Sequence, residues 1–301
     1  GKTVLLTGGR GFLGRYFSEV FHRLNNTVLD KPVRVVALDN LITAGEEGAQ
    51  IPDLNGVEFI NHDVIQPFDW NDDVDYVIHA AGIAERHGAR FSFFSSSEIY
   101  GDPDPKHVPM SESYRGNVSC QGPRACYDES KRVGETLCYI YHTQQGTHTN
   151  TIRPFNVFGP GMQETDYRVL PNFAARIKAG QPLQVYGTGN QTRTFCYITD
   201  AIVGFLRVVL MGVAGEAYNI GNPRPEITML ELVERIKNIR GGDLAYNVIE
   251  YPDSYPADEP NRRAPDIRKA QLQLKFAPKV ELDDGLNRFL TWSDQVYTGL
   301  A

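Results

Sequence analysis

Glycines stand at positions 8, 11 and 14, directly after the apolar run Thr3-Val-Leu-Leu-Thr7 and at the head of a helix-patterned stretch from about Phe12 to Leu24. A short continuous apolar run is what a parallel strand buried on both faces looks like. Glycine between strand and helix lets the backbone approach a pyrophosphate, and the helix N-terminus offers free N–H groups and a favourable dipole. Gly8, Gly11, Phe12, Leu13 and Gly14 are therefore expected to cradle a dinucleotide. The second strand, Val33–Leu38, ends in Asp39 followed by Asn40. An aspartate there accepts hydrogen bonds from ribose hydroxyls and repels a 2′-phosphate, which selects NAD over NADP. Asp63 and Val64, after the third strand, are expected to meet the adenine. Ala80 and Ala81, in His79-Ala-Ala-Gly-Ile-Ala84, are expected to line the same cofactor.

Further apolar runs fall at Val57–Ile60, Val74–Ile78, Arg90–Phe94, Thr149–Arg153 and Ala217–Ile220, with helical stretches between most of them. This alternation predicts an α/β fold, a doubly wound parallel sheet, with a smaller C-terminal substrate-binding lobe. The expected boundaries are 1–158, with 194–220 returning, for the nucleotide-binding domain, and 159–193 with 221–301 for the lobe. One step fails. His79-Ala-Ala-Gly-Ile-Ala84 is read as ending that strand, which leaves only five residues before the strand at Arg90, whereas parallel neighbours need a crossover of a dozen or more. Either those strands are not parallel neighbours, or a crossover segment is absent between 84 and 85; the second alternative is preferred.

Composition narrows the partners. With 30 basic against 37 acidic residues the net charge is −7, so no nucleic acid is expected, although local arginines can still hold a small anion. The four cysteines, at 120, 126, 138 and 196, show no metal-ligand spacing. They are expected to be reduced and mostly buried, with no metal site. No leader-like segment precedes the first strand, and the apolar stretch Ala201–Gly215 is interrupted by Arg207 and too short to span a bilayer. A cytoplasmic protein without membrane contact is expected.

Tyr127 and Lys131 lie one helical turn apart in Tyr127-Asp-Glu-Ser-Lys131, about 30 residues after Ser95-Ser-Ser97-Glu98-Ile-Tyr-Gly101. A serine hydroxyl at a strand's carboxyl end, a tyrosine and a lysine form a proton relay. The lysine is expected to draw the tyrosine pKa down so that phenolate serves as base. Ser96, Ser97, Tyr127 and Lys131 are the candidates.

The ordered set Thr7–Gly14, Ser95–Gly101, Tyr127–Lys131 and Arg153-Pro-Phe-Asn-Val-Phe-Gly-Pro160 resembles the extended short-chain dehydrogenase/reductase family of nucleotide-sugar enzymes, over essentially the whole chain. The resemblance implies a Rossmann-like fold, NAD as cofactor, a UDP-sugar substrate and a homodimer. Gly122-Pro-Arg-Ala-Cys-Tyr-Asp-Glu129, Ile60–Val64, Glu98–Pro103 and Gln191–Phe195 resemble the UDP-glucuronic acid decarboxylase branch. That branch oxidises C4 of the sugar, and the resulting β-keto acid loses CO2, giving UDP-xylose or its 4-keto form. The resemblance places Glu98 and Arg263 beside C5 and C6 of the sugar. It places Asn156, Arg168, Asn172 and Arg193 near the uridine diphosphate, and Gln184 and Tyr186 in the uridine pocket. A 4,6-dehydratase typically has Asp-Glu where this chain has Ser97-Glu98. A 4-epimerase needs only the serine–tyrosine–lysine set and is the alternative; a non-catalytic NAD-binding module is the third reading.

Overall fold

The computed structural model describes residues 1–42, 54–64, 66, 68, 70–78, 81–251 and 260–299, the side chains of 81–83 excepted. In chain order the elements are β1 (Thr3–Thr7), α1 (Phe12–Thr27), β2 (Arg34–Asp39), β3 (Val57–Asn61), β4 (Tyr76–Ile78), α2 (Ala81–His87), β5 (Arg90–Phe94), α3 (Ala125–Gln145), β6 (Thr149–Pro154) and β7 (Val157–Phe158). Then come α4 (Val169–Lys178), β8 (Leu183–Tyr186), β9 (Thr192–Arg193), β10 (Cys196–Tyr197), α5 (Ile198–Met211), β11 (Ala217–Ile220), β12 (Ile227–Thr228), α6 (Met229–Arg240), β13 (Tyr246–Ile249), β14 (Arg262–Arg263), α7 (Arg268–Leu274) and α8 (Leu282–Val296).

A seven-stranded sheet runs in the order β11-β6-β5-β4-β1-β2-β3 and is parallel, as the buried apolar runs require. Winding reverses between β1 and β4, so the glycine turn after β1 opens at the switch point where ligands bind such sheets. All seven expected strands are present. The fourth, however, ends at Ile78 rather than Ala84, because residues 81–87 coil into α2. β4 and β5 are parallel neighbours, with Tyr76 opposite Arg90, so the first alternative raised by the short connection is excluded.

The chain divides into two compact units. The first comprises 1–95, 133–152 and 205–217. Leu5, Val36, Leu38, Val77 and Phe91 form its core, each fully buried side chain contributing about 1.5–3 kcal/mol. Gly134 lets α3 lie close on β5, since a Cβ there would stand 2.2 Å from the Phe93 ring. Phe205 of α5 packs edge-on against Phe94 at 5.0 Å, so the apolar Ala201–Gly215 stretch starts in a helix that packs one face on the sheet. Among the described residues no helix is long and apolar enough to cross a membrane.

The second unit comprises 96–132, 153–204 and 218–301, so the Ser96–Arg132 segment clusters with the C-terminal part of the chain. Its core holds Ile99, Tyr100, Met110 and Phe155. A small sheet, β12-β9-β14, pairs Arg193 with Arg263 and Thr192 with Arg262. Thr228 caps α6 in a capping box with Glu231. All four cysteines are free; Cys138 and Cys196 are buried, but Cys120 and Cys126 are exposed. The expectation of mostly buried thiols thus holds for half of them, because Cys120 lies in the stretch before α3 and Cys126 on that helix's solvent side.

Candidate active site

In the first unit the glycine turn is closed by its own backbone. Gly8 adopts φ +71°, and the Gly8 and Gly9 N–H groups both donate to Leu38 O, at 2.8 and 3.2 Å. A Cβ on Gly14 would lie 2.0 Å from Gly8 O, and one on Gly9 2.5 Å from Ala37 Cβ, so α1 packs on the turn without room for a methyl. Gly11 caps α1 with no side-chain acceptor, and the first helical turn, which includes Phe12 and Leu13, has no acidic residue. Its N–H groups are thereby kept for an outside anion.

Asp39 is buried, and its carboxylate does more than the sequence indicates. Oδ2 accepts from Arg10 N–H at 2.9 Å and Oδ1 from Leu41 N–H at 2.8 Å, tying the glycine turn to the end of β2. Each oxygen keeps lone-pair capacity for a ribose hydroxyl. Asn40 Oδ1 accepts from Ile42 N–H at 3.2 Å. Asp63 is half-buried and Val64 exposed just beyond β3. Ala80 lies outside the described residues; Ala81 begins α2. The turn and Asp39 fit a dinucleotide.

In the second unit a 3₁₀ turn, Ser97–Tyr100, carries Glu98; Ser96 Oγ caps it by accepting from Glu98 N–H at 3.2 Å. The turn is anchored from below. Tyr100, fully buried, donates to Asn219 Oδ1 at 2.8 Å and accepts from Arg153 at 2.7 Å, while Asn219 N–H donates to Glu112 at 2.9 Å. Burial pushes the Tyr100 phenol up to about 12, which keeps it a neutral structural donor.

Glu98 is clamped by two guanidiniums. Arg263 reaches it with both terminal nitrogens, Nη2 to Oε2 at 2.8 Å, and Arg124 bonds the same carboxylate. Arg263 is 3% exposed, and its Nε is buried with no hydrogen-bond partner. Its register neighbour Arg193 is buried too and donates from Nη1 to Thr192 O at 2.8 Å. Strand alternation puts Thr192 and Arg262 on the opposite face, where both bind Glu226.

Tyr127 and Lys131 share a face of α3, with Lys131 Nζ 5.6 Å from the Tyr127 ring centroid. Half of Tyr127 is open to solvent. Its pKa nevertheless lies above the ordinary value, because partial burial disfavours phenolate and Glu98 adds to this, outweighing the hydrogen bond from Ser96. Burial also lowers the Lys131 pKa. The expected depression of the tyrosine by the lysine is thus not present in the protein by itself. Ser97 is buried beside Glu98 in the turn.

Of the anticipated anion contacts, Arg168 and Asn156 are engaged within the protein. Arg168, at the N-cap of α4, chelates Asp166 through Nε at 2.9–3.0 Å. Asn156 holds φ +41° and donates to Thr194 O at 2.8 Å. Asn172 Oδ1 is buried without a partner, an acceptor in want of a donor. Gln184 and Tyr186 project from one half-buried face of β8, and the Tyr186 ring lies 5.7 Å from Tyr251. Sequence reasoning missed Arg124 and Asp128. Both fall in the Gly122–Glu129 run, one helical turn apart, and a charged pair at that spacing beside Tyr127 was the available signal.

A carboxylate held between two guanidiniums, next to a tyrosine–lysine pair, suits chemistry on an anionic substrate. A UDP-glucuronic acid decarboxylase 1 of Xenopus tropicalis is 37% identical over 318 residues, covering 95% of this chain and 71% of that protein. UDP-glucuronic acid decarboxylase 6 of Arabidopsis thaliana is 36% identical over 314 residues, covering 94% and 86%. The fold matches a Bacillus cereus UDP-glucuronic acid 4-epimerase, solved with UDP-glucuronic acid and NAD, with a TM-score of 0.81 at 23% identity, covering 98% of this chain and all of that one. Residues 4–88 and 83–221 match the NAD dependent epimerase/dehydratase family, and the chain belongs to it.

Proposed function

We propose that the protein decarboxylates UDP-glucuronic acid by way of a 4-keto intermediate, giving UDP-xylose or the 4-keto pentose. The observation that carries this reading is Glu98 clamped by Arg124 and Arg263 in the same unit as Tyr127 and Lys131. A 4-epimerase has no use for that cluster, and a pure binding module needs none of it. The decarboxylase relatives, at 36–37% identity, support the same choice.

In this reading the first unit would hold NAD, which when bound would supply the hydride acceptor and donor for C4. Gly8, Gly11 and Gly14 take its pyrophosphate and Asp39 its adenosine ribose. The second unit holds the sugar nucleotide, with Arg168, Arg193, Asn156 and Asn172 at the diphosphate and Gln184 and Tyr186 at uridine. Tyr127 draws the C4 hydroxyl proton while the Ser96 hydroxyl holds the phenol oxygen and Lys131 supports the developing charge. Arg263 and Glu98 flank C5 and C6. Buried guanidiniums there steady the carboxylate until C4 oxidation makes it a β-keto acid, whose C–C bond electrons pass into an enolate as CO2 leaves. Incubation with UDP-glucuronic acid and NAD tests the reading: CO2 with a pentose product is expected. UDP-galacturonic acid without CO2 indicates a 4-epimerase, and an unchanged sugar a binding module.

The reading extends to assembly. Val133 and Leu137, one turn apart on α3, are exposed and apolar, which supports a homodimer through that helix. Light scattering should give twice 33.7 kDa, and Leu137→Asp should halve it. Exposed free thiols at Cys120 and Cys126 favour a reducing, cytoplasmic setting, which thiol titration of protein from its native cells tests. We infer that a crossover segment is absent between 84 and 85. The two family matches overlap at residues 83–88, and the 318-position alignment takes in 95% of 301 residues, leaving about 30 positions of the relative unmatched, the size of a crossover. An intact mass about 3 kDa above 33.7 kDa in the native protein is expected, with the additional residues found by peptide mapping in the peptide that contains Ala84; a native mass of 33.7 kDa overturns the inference.

A further inference from the structure

Asp128 follows Tyr127 directly in α3 and is 5% exposed, yet its Oδ1 has no hydrogen-bond partner. The charged groups around it are Glu98 from the 3₁₀ turn, Arg124 and Glu129 from its own segment, and Arg263 from β14. Glu129 is itself paired with Arg132 at 3.7 Å, which leaves two guanidiniums against two carboxylates. With Asp128 ionised that group is neutral. Entry of a substrate carboxylate would leave one uncompensated negative charge in a dehydrated site, an unfavourable state that a proton relieves.

Decarboxylation has its own proton requirement. A carboxylate leaves as CO2, its bonding electrons pass into the enolate, and C5 must then receive a proton, so the C5 step consumes one proton per CO2. We propose that Asp128 stores this proton, taking it up as a carboxylate-bearing sugar enters the Glu98–Arg124–Arg263 cluster and releasing it through that cluster to C5 after CO2 has left. The enolate pair forms the C5–H bond and Asp128 regains its negative charge, which restores the starting state. Asp128 is thus a positioning residue that acts through Glu98 and the arginines, and its role rests on the decarboxylase reading above. Burial, with Glu98 adding to it, pushes its carboxyl up to about 6 against the pull of Arg124 and Arg263. Above that pH the group is ionised in the free protein and open to uptake; below it the proton is already in place.

Calorimetry of UDP-glucuronic acid binding to the NADH-loaded protein, in buffers of different ionisation enthalpy, measures the uptake without turnover. Close to one proton is expected at about pH 7.5 and close to none at about pH 5, and UDP-glucose, which lacks the carboxylate, should give none. Asp128→Asn should abolish the uptake and lower kcat about 10- to 100-fold with little change in KM, and Asp128→Glu should restore part of both. A wild type that shows no pH-dependent uptake overturns the assignment even where the variant does not fold. Release of CO2 by the wild type with unchanged uptake in Asp128→Asn overturns it alone, whereas absence of CO2 from the wild type overturns the decarboxylase reading.

Discussion

Around the glycine turn the working surface is backbone, and side chains are kept out: a methyl on Gly14 would meet a carbonyl oxygen at 2.0 Å. Around Glu98 the working surface is entirely side chain, three charged groups brought from residues 98, 124 and 263. The first arrangement is built within the first 41 residues and tolerates no addition. The second is built across 165 residues and tolerates no subtraction, because removing one partner strands the charge of another. The turn offers shape and dipole to an anion that stays bound; the cluster offers charge that can be rebalanced while a substrate changes.

The sharpest way to break this comparison is Tyr127→Phe, which removes the proton acceptor and leaves both arrangements standing. Turnover should fall about 10³-fold, with neither NADH formed nor CO2 released, while NAD affinity is unchanged. NADH formation at the wild-type rate would remove Tyr127 from the role of base.

Glu98→Gln comes next. It preserves shape but removes one negative charge between two guanidiniums, so a uronate should bind more tightly while its later chemistry suffers. The expected signature is a KM that falls together with a kcat lower by about 10²-fold, with C4 oxidation surviving as transient NADH. An equal loss in kcat and kcat/KM would instead assign Glu98 to the oxidation step.

The contrast between the two regions also explains what a reader of the chain can foresee. Gly8 to Gly14, Asp39 and the seven strands follow from local spacing, and apart from the end of the fourth strand each stands where the spacing put it. α2 was misread because His79 to Ala84 is too short and too uniformly apolar to tell strand from helix. The Arg193–Arg263 pair arises from the pairing of two-residue strands, which leave no periodicity to detect. Arg124 and Asp128 lie within the Gly122–Glu129 run, but only the tertiary fold brings Glu98 and Arg263 beside them. The second bond set of Asp39, holding the turn itself, is likewise invisible without coordinates.

Gly14→Ala tests the backbone side. Overlap with Gly8 O has to be relieved by shifting α1 off the turn, at a cost of about 1–3 kcal/mol, hence roughly 10- to 100-fold in NAD affinity. The carbon dioxide yield per bound NAD should be unaffected. A variant with normal NAD affinity but impaired decarboxylation would show that the two regions are not separable.

The smallest effect belongs to Glu226, which braces the far face of the β12-β9-β14 sheet. Its carboxylate accepts from Arg262 Nε at 2.6 Å and Nη2 at 2.9 Å and from the Thr192 hydroxyl at 2.6 Å. The Arg262 bonds, with help from Thr192, hold its pKa below the ordinary carboxylate value despite partial burial. A depressed pKa means that the stabilisation is fully present above the unfolded value near 4.5 and fades as pH falls through the folded one. Glu226→Gln keeps the shape and loses the charge, so about 1 kcal/mol, or 2 °C in melting temperature, should be lost at neutral pH and progressively less as the pH falls below 4.5. Because Arg193 and Arg263 share these strands, the same variant should also loosen the uronate site slightly at neutral pH and raise KM by less than about twofold. A melting-temperature difference that persists unchanged in acid would show that the bracing is steric rather than ionic, and that the cluster on the near face owes nothing to the charge behind it.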